Sequence, residues 1–182
     1  MRYIVIGTSG AGKSTFAAAL AESSKCPYIE LDQHYWGADW QAVPPAQFEG
    51  AVREAIAGDC WVADGNYSAV RELLWSSATH IVWLNYGQGT IFRRLLWRTL
   101  TRGLLRTKLS HGNRESLRMA FFSRHSILLW AWTTFGKNRE KFARLRVDPQ
   151  YSHLQWCEFR TPRQARRFLA ALAEHSASSD QC

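Results

Sequence analysis

The chain has 182 residues, 46% of them hydrophobic, with four cysteines and a net charge of +8. That apolar content supports one full core, so no disulfide or metal staple is required. Cys26, Cys60, Cys157 and Cys182 form neither a C-x-x-C pair nor a zinc spacing, and the most apolar late run, Ile127 to Trp132, is far too short to span a bilayer. The N-terminal apolar run is also too short for a secretory signal, which implies a cytoplasmic protein with free thiols and no membrane partner.

Arg2 to Ile6 reads as a short buried strand, and Lys13 to Ser24 as a helix closed by Cys26-Pro27. Between them, Gly7-Thr8-Ser9-Gly10-Ala11-Gly12-Lys13-Ser14-Thr15 fits G-x-x-x-x-G-K-[ST]. The N–H groups of such a loop, together with a helix N-terminus, form a concave site of positive potential for phosphate. Ser9, Gly10, Ala11, Gly12, Lys13, Ser14 and Thr15 are therefore the expected nucleotide-binding residues. Lys13 reaches the β- and γ-phosphates in this pattern, and the Ser14 hydroxyl binds Mg²⁺.

Tyr28 to Leu31 reads as the second strand, with Asp32 at its end as an acceptor-side carboxylate that orients or deprotonates the incoming group. Tyr35, Trp36 and Trp40 follow in a loop. They either stack on a planar acceptor or seal the loop against the sheet. Pro45 to Ala57 is helical in pattern, with Gly58 after it, so residues 33–58 form the expected acceptor-side region. Cys60 to Ala63 is the third strand, and Asp64 at its end is the expected second magnesium residue. Ala69 to Trp75 is a short helix and His80 to Leu84 the fourth strand.

Residues 89–146 break the strand–helix alternation and read as a helical excursion containing a lid, punctuated near Leu109–Asn113 and Thr133–Gly136. Arg94, Arg98, Arg102 and Arg106 share one helical face, of which Arg94 (or Arg93) and Arg98 lie nearest the sheet edge and are the better phosphate candidates. Arg93 to Arg146 holds 14 Lys/Arg against Glu115 and Glu140, a local balance of +12. Such a segment points to a polyanion, either ATP or a nucleic acid. Arg114 is the expected lid arginine, neutralising charge on the transferred group. Leu154 to Phe159 is the last strand, and Pro162 to His175 the last helix, with Thr161 as its N-cap. Arg160, between them, is expected beside the nucleotide base. Residues 176–182 read as a disordered tail, leaving residues 1–175 as one domain.

The stretches IVIGTSGAGKST at 4–15, IELDQHYW at 29–36, WVADGNYSAVRELLW at 61–75 and GNRESLRMAFFSRHSILLW at 112–130 carry a resemblance. The chain resembles the small P-loop kinases of the adenylate-kinase-like group, and within it the FlaR-related (DNA topology modulation protein FlaR-like) kinases. The resemblance covers nearly the whole chain. It implies an α/β three-layer P-loop NTPase fold with a five-stranded parallel sheet in the order 2-3-1-4-5 and a mobile lid. It also implies ATP as phosphoryl donor, with Mg²⁺. Adenylate kinases follow Asp-Gly with Phe-Pro-Arg, where this chain has Asn66-Tyr67-Ser68. The arginine that grips AMP is missing there, although Arg71 lies nearby.

The leading expectation is a Mg·ATP-dependent phosphotransferase acting on a nucleotide or other small acceptor. Lys13, Asp32 and Arg114 are its catalytic candidates, and Ser14 and Asp64 its metal residues. The alternative is an ATP-binding or ATP-hydrolysing regulator that contacts nucleic acid. No Asn-Lys-x-Asp guanine signature is present. Nothing in the sequence sets the oligomeric state.

Overall fold

A computed structural model of the chain describes residues 1–37, 40–105 and 127–179. Five strands form one sheet: β1 (Arg2–Gly7), β2 (Tyr28–Glu30), β3 (Trp61–Asp64), β4 (His80–Leu84) and β5 (Gln155–Phe159). All neighbours are parallel, and the order is β2-β3-β1-β4-β5. The helices are α1 (Lys13–Ser24), α2 (Leu31–Tyr35), α3 (Pro45–Ala55), α4 (Arg71–Ser77), α5 (Gln88–Leu105), α6 (Ile127–Arg146) and α7 (Pro162–Ser179), with a 3₁₀ turn at Pro149–Tyr151.

Because side chains alternate along a strand, each strand feeds two cores. Ile4, Ile6, Trp61, Ala63, Ile81 and Trp83 face one side, where Phe48 and Val52 of α3, Leu74 and Trp75 of α4 and Phe142 of α6 cover them. Tyr3, Val5, Val62, Val82 and Leu84 face the other side, under Phe16 and Leu20 of α1, Ile91 of α5 and Ala165 of α7. The result is a three-layer α/β fold whose strand C-terminal ends share one edge. Strand order reverses around β1, which places the loop after β1 in the crevice where open parallel sheets bind ligands.

Three details depart from the sequence reading. Leu31 and Asp32 do not extend β2, since they open the short helix α2. Leu31 is fully buried against the sheet while Asp32 is exposed, an alternation that a strand and a helix start share over two residues. No break occurs at Thr133–Gly136, because α6 runs through it. Phe135 packs on one core and Phe142 on the other, so tertiary burial carries the helix past weak local propensity. Residues 176–179 continue α7 and are not a disordered tail. Residues 180–182 and the Leu109–Asn113 punctuation lie outside the described residues. The start of α7 is a capping box: Gln164 N–H donates to Thr161 Oγ1 at 3.3 Å, and Gln164 Oε1 accepts from Thr161 N–H at 3.1 Å.

Among the described residues no helix is long and apolar enough to cross a membrane. Of the tryptophans, Trp61, Trp75 and Trp83 are buried, whereas Trp40 and Trp97 are exposed.

Leu20 is completely buried between α1 and the sheet. Leu20→Ala should lower the unfolding free energy by roughly 2–5 kcal/mol, measurable by urea denaturation. A loss under about 1 kcal/mol would contradict this packing.

Candidate functional site

The phosphate loop leaves β1 at Gly7 and enters α1 at Lys13. Gly12 caps α1 in the left-handed region, at φ 86°, and Gly10 lies at φ 85°. A Cβ on Gly10 would sit 3.2 Å from Leu95 Cβ and 3.3 Å from the Ile91 carbonyl, so α5 packs directly under the loop. Ala11 N–H donates to the Thr8 carbonyl at 3.0 Å and turns the chain back on itself.

Three residues fasten this loop to the sheet. The Asn66 amide pairs with the backbone of Gly7: Nδ2 donates to its carbonyl at 2.7 Å, and Oδ1 lies 3.4 Å from its N–H. Arg94 of α5 donates to the Ala11 carbonyl at 2.8 Å and lies 5.6 Å above the Tyr86 ring. Ser14 Oγ donates to Asp64 Oδ2 at 2.8 Å.

Asp64 ends β3, in register with Val5 of β1. It is 4% exposed, and its other oxygen accepts from the Tyr28 hydroxyl at 3.0 Å. Burial pushes the Asp64 carboxyl above its ordinary range, against the lowering effects of the Ser14 bond, the Lys13 charge and the Tyr28 bond. The Asp32 charge adds to the rise, so Lys13, Ser14, Asp32 and Asp64 share one electrostatic neighbourhood. Burial and the Asp64 charge together hold the Tyr28 phenol strongly protonated, as a fixed donor.

Asp32 faces the same edge from α2. Its Oδ1 accepts from the Tyr67 hydroxyl at 2.6 Å. Burial and this bond raise the Tyr67 pKa far above the ordinary tyrosine range. Tyr35 packs against both Tyr67 and Phe48, with ring centroids 4.5 and 5.1 Å away. Tyr35 thus seals the loop, while Trp36 and Trp40 pack edge to face beside it.

The remaining expected residues fare differently. Ser9, Gly10, Ala11, Gly12 and Thr15 all lie in the loop or the first turn of α1. Arg98 lies on α5, but its side chain is outside the described residues, as is the whole of Arg114. Arg160 donates through Nε to Glu158 Oε1 at 3.0 Å. Glu158 also accepts from Asn85 at 2.8 Å and from Arg146 at 2.9 Å. Arg160 is thus engaged with β5 and the end of α6. Asn66, Tyr67 and Tyr28 were not site candidates by motif. Asn66 and Tyr67 were visible only as the departure from Phe-Pro-Arg, whereas Arg94 was expected, with Arg98, as a phosphate candidate and instead holds the Ala11 carbonyl.

The oxygen donors of Ser14 and Asp64, one hydroxyl and one carboxylate beside a phosphate loop, suit Mg²⁺, a hard cation that keeps several waters and few protein ligands. No cluster of three His, Cys, Asp or Glu among the described residues could form an all-protein metal site.

No family model matches the sequence, and no curated protein matches it. Solved structures do match in fold. A gluconokinase from Sinorhizobium meliloti 1021 superposes with a TM-score of 0.51 at 19% identity, over 98% of this chain and 96% of that one. A shikimate kinase from Bacteroides thetaiotaomicron gives a TM-score of 0.53 at 18% identity, over 96% and 97%. The five-stranded parallel α/β fold is shared across nearly the full length of each.

Two outcomes follow from this geometry. Asn66→Ala leaves the buried Gly7 backbone unpaired and should cost about 1–3 kcal/mol of stability by denaturant titration. Asn66→Asp should cost at least as much, because it sets a carboxylate against the Gly7 carbonyl. Equal stability of either variant and wild type would remove Asn66 as the anchor. For Glu158, burial raises the pKa, but bonds from Asn85 and Arg160 and the charges of Arg160 and Arg146 outweigh it and hold the group below its ordinary 4.5. A depressed folded-state value gives stability present above the ordinary value and lost as pH falls through the depressed one. The Tm gap between wild type and Glu158→Gln should therefore be full at neutral pH and close on acidification. A gap independent of pH would contradict the network.

Proposed function

We propose that this chain is a Mg·ATP-dependent phosphotransferase that moves the γ-phosphoryl group to a small acceptor. The observation that carries the reading is the 2.8 Å Ser14–Asp64 pair beside the glycine-rich loop. The fold it shares with a gluconokinase and a shikimate kinase supports the same class. The DGNY and GNRES stretches favour its FlaR-related branch, and the half-buried free thiols of Cys26, Cys60 and Cys157 fit a reducing cytoplasm.

Each residue has a role in that reading. The loop N–H groups and Lys13 hold the β- and γ-phosphates. Ser14 and Asp64 hold Mg²⁺, which when bound offsets phosphate charge. Tyr28 keeps Asp64 oriented through a phenol that stays protonated. Asn66 and Arg94 fix the loop before nucleotide arrives, so less ordering is left to the binding step. Asp32, with one oxygen occupied by Tyr67, offers its other oxygen to the acceptor hydroxyl. It orients that hydroxyl and takes its proton as the oxygen attacks the γ-phosphorus. The aromatic wall of Tyr35, Tyr67 and Phe48 limits water on the acceptor side. Arg114 and Arg98 are the arginines assigned to the transferred and donor phosphates, and Arg160 to the base side. The nucleic-acid alternative drew on the basic segment, much of which (106–126) lies outside the described residues.

An ADP-release assay with a panel of nucleotides and small hydroxylated acceptors tests the proposal. At least one acceptor should raise turnover above the basal level. Lys13→Ala should reduce that turnover by about 10²–10³-fold, the scale of one phosphate-stabilising donor. Asp32→Asn should lower kcat with little change in the KM for ATP. If no acceptor stimulates ADP release, the kinase reading fails.

A further inference from the structure

The N-terminal edge of the sheet, opposite the phosphate loop, holds two cysteines that the phosphotransferase reading leaves without a role. Tyr28 of β2 and Val62 of β3 are parallel partners, and the Val62 N–H donates to the Pro27 carbonyl at 2.9 Å. Counting back two residues from each sets Cys26 opposite Cys60. Cys26 and Tyr28 pack against the core beneath α1, to which Val62 belongs. Cys60 lies two residues before Val62, and side-chain alternation gives it the same face.

Further contacts hold both ends in place. The Cys26 N–H donates to the Ala21 carbonyl at 3.0 Å, which ties it to the end of α1. The Cys26 thiol points at the Met1 carbonyl, 3.9 Å away. The same carbonyl accepts from the N–H of Trp61, the residue after Cys60, at 3.3 Å. The two cysteines therefore meet beside one backbone group. The Cys60 thiol is held above its ordinary range, first by its hydrogen bond with the Cys26 side chain and then by burial. Both thiols are free and half-buried, within reach of a small reagent. Cys157 stands apart on β5, with β1 and β4 between that strand and β3. Neighbouring strands lie about 4.8 Å apart, inside the roughly 4.4–6.8 Å between Cα atoms that a disulfide bridges. A shared face meets the other requirement, that the two Cβ atoms point the same way.

We propose that Cys26 and Cys60 are a redox modification site, closing as a reversible disulfide when the native protein meets a low-molecular-weight disulfide such as oxidised glutathione. This stands independently of the phosphotransferase reading. One cysteine thiolate attacks the glutathione disulfide and displaces one glutathione thiolate. The other attacks the sulfur now bound to the protein and displaces the second. One protein S–S bond forms, and the reagent's S–S bond is reduced to two thiols that carry away the two protons. The closed segment, residues 26–60, includes α2, with Asp32, and α3. The bridge thus clasps the base of the acceptor side and leaves the Ser14–Asp64 pair, at the other edge of the sheet, untouched.

The test treats the folded full-length protein with oxidised glutathione, alkylates the remaining thiols and maps disulfides by mass spectrometry. Trypsin cuts after Arg53, between the two cysteines, so the bridge is read as a linked peptide pair. Cys26–Cys60 should be the main bridge, and dithiothreitol should reverse it. Tm should rise by roughly 4–15 °C on oxidation, because the bridge restricts the unfolded chain. Cys26→Ala and Cys60→Ala should each abolish the bridge and the rise in Tm, leaving a glutathione adduct on the remaining cysteine. Cys157→Ala should keep both. The mapping of wild type needs no variant, so a variant that fails to fold does not decide the outcome. Glutathione adducts on both cysteines without a bridge, a main bridge to Cys157 or Cys182, no reaction at either thiol, or a bridge that leaves Tm unchanged would each overturn the proposal.

Discussion

The Ser14–Asp64 hydrogen bond joins the first turn of α1 to the end of β3, two elements 50 residues apart in the chain. It exists because β1 and β3 are parallel neighbours with Val5 opposite Asp64. That register puts the carboxylate level with the start of the phosphate loop. A shift of one residue would turn the carboxylate to the other face of the sheet. The rest of the site is arranged around this pair: Tyr28 holds it from β2, Asn66 ties the following turn to Gly7, and Arg94 closes the loop from α5.

The pair is electrostatically expensive. Asp64 is nearly fully buried, its desolvation exceeds the relief from its two hydrogen bonds and Lys13, and Asp32 adds a like charge nearby. A protein selected for stability alone has little reason to gather charges in this way. A buried carboxylate poised beside a phosphate loop suits a site that takes a cation with its nucleotide.

Much of the architecture was legible in the sequence. The G-x-x-x-x-G-K-[ST] pattern between a strand and a helix located the loop, and α1 and β4 have the predicted bounds. Strand and helix periodicities are strong where a long face is buried, as in β1 or α7. They are weak over short spans, which is why the first residues of α2, Leu31 and Asp32, read as the end of a strand. The continuity of α6 through Thr133–Gly136 was also hidden, because burial of Phe135 and Phe142 on the two cores overrides local propensity.

At the site, the sequence by itself determined the chemistry available: a phosphate loop, one lysine, hydroxyl and carboxylate oxygens at the strand ends, and an arginine-rich excursion. Motif spacing carries that information because those groups must follow one another along the loop. Partnership is a different matter. That Asn66 grips Gly7, that Tyr67 takes Asp32, that Arg94 braces Ala11 and that Arg160 turns to Glu158 were decided only by the tertiary structure. Each of these contacts joins segments brought together by strand register and helix packing, except for Arg160, whose nearby neighbour Glu158 competes with any ligand for its charge. Sequence records which donors and acceptors exist, and the parallel sheet selects which of them meet.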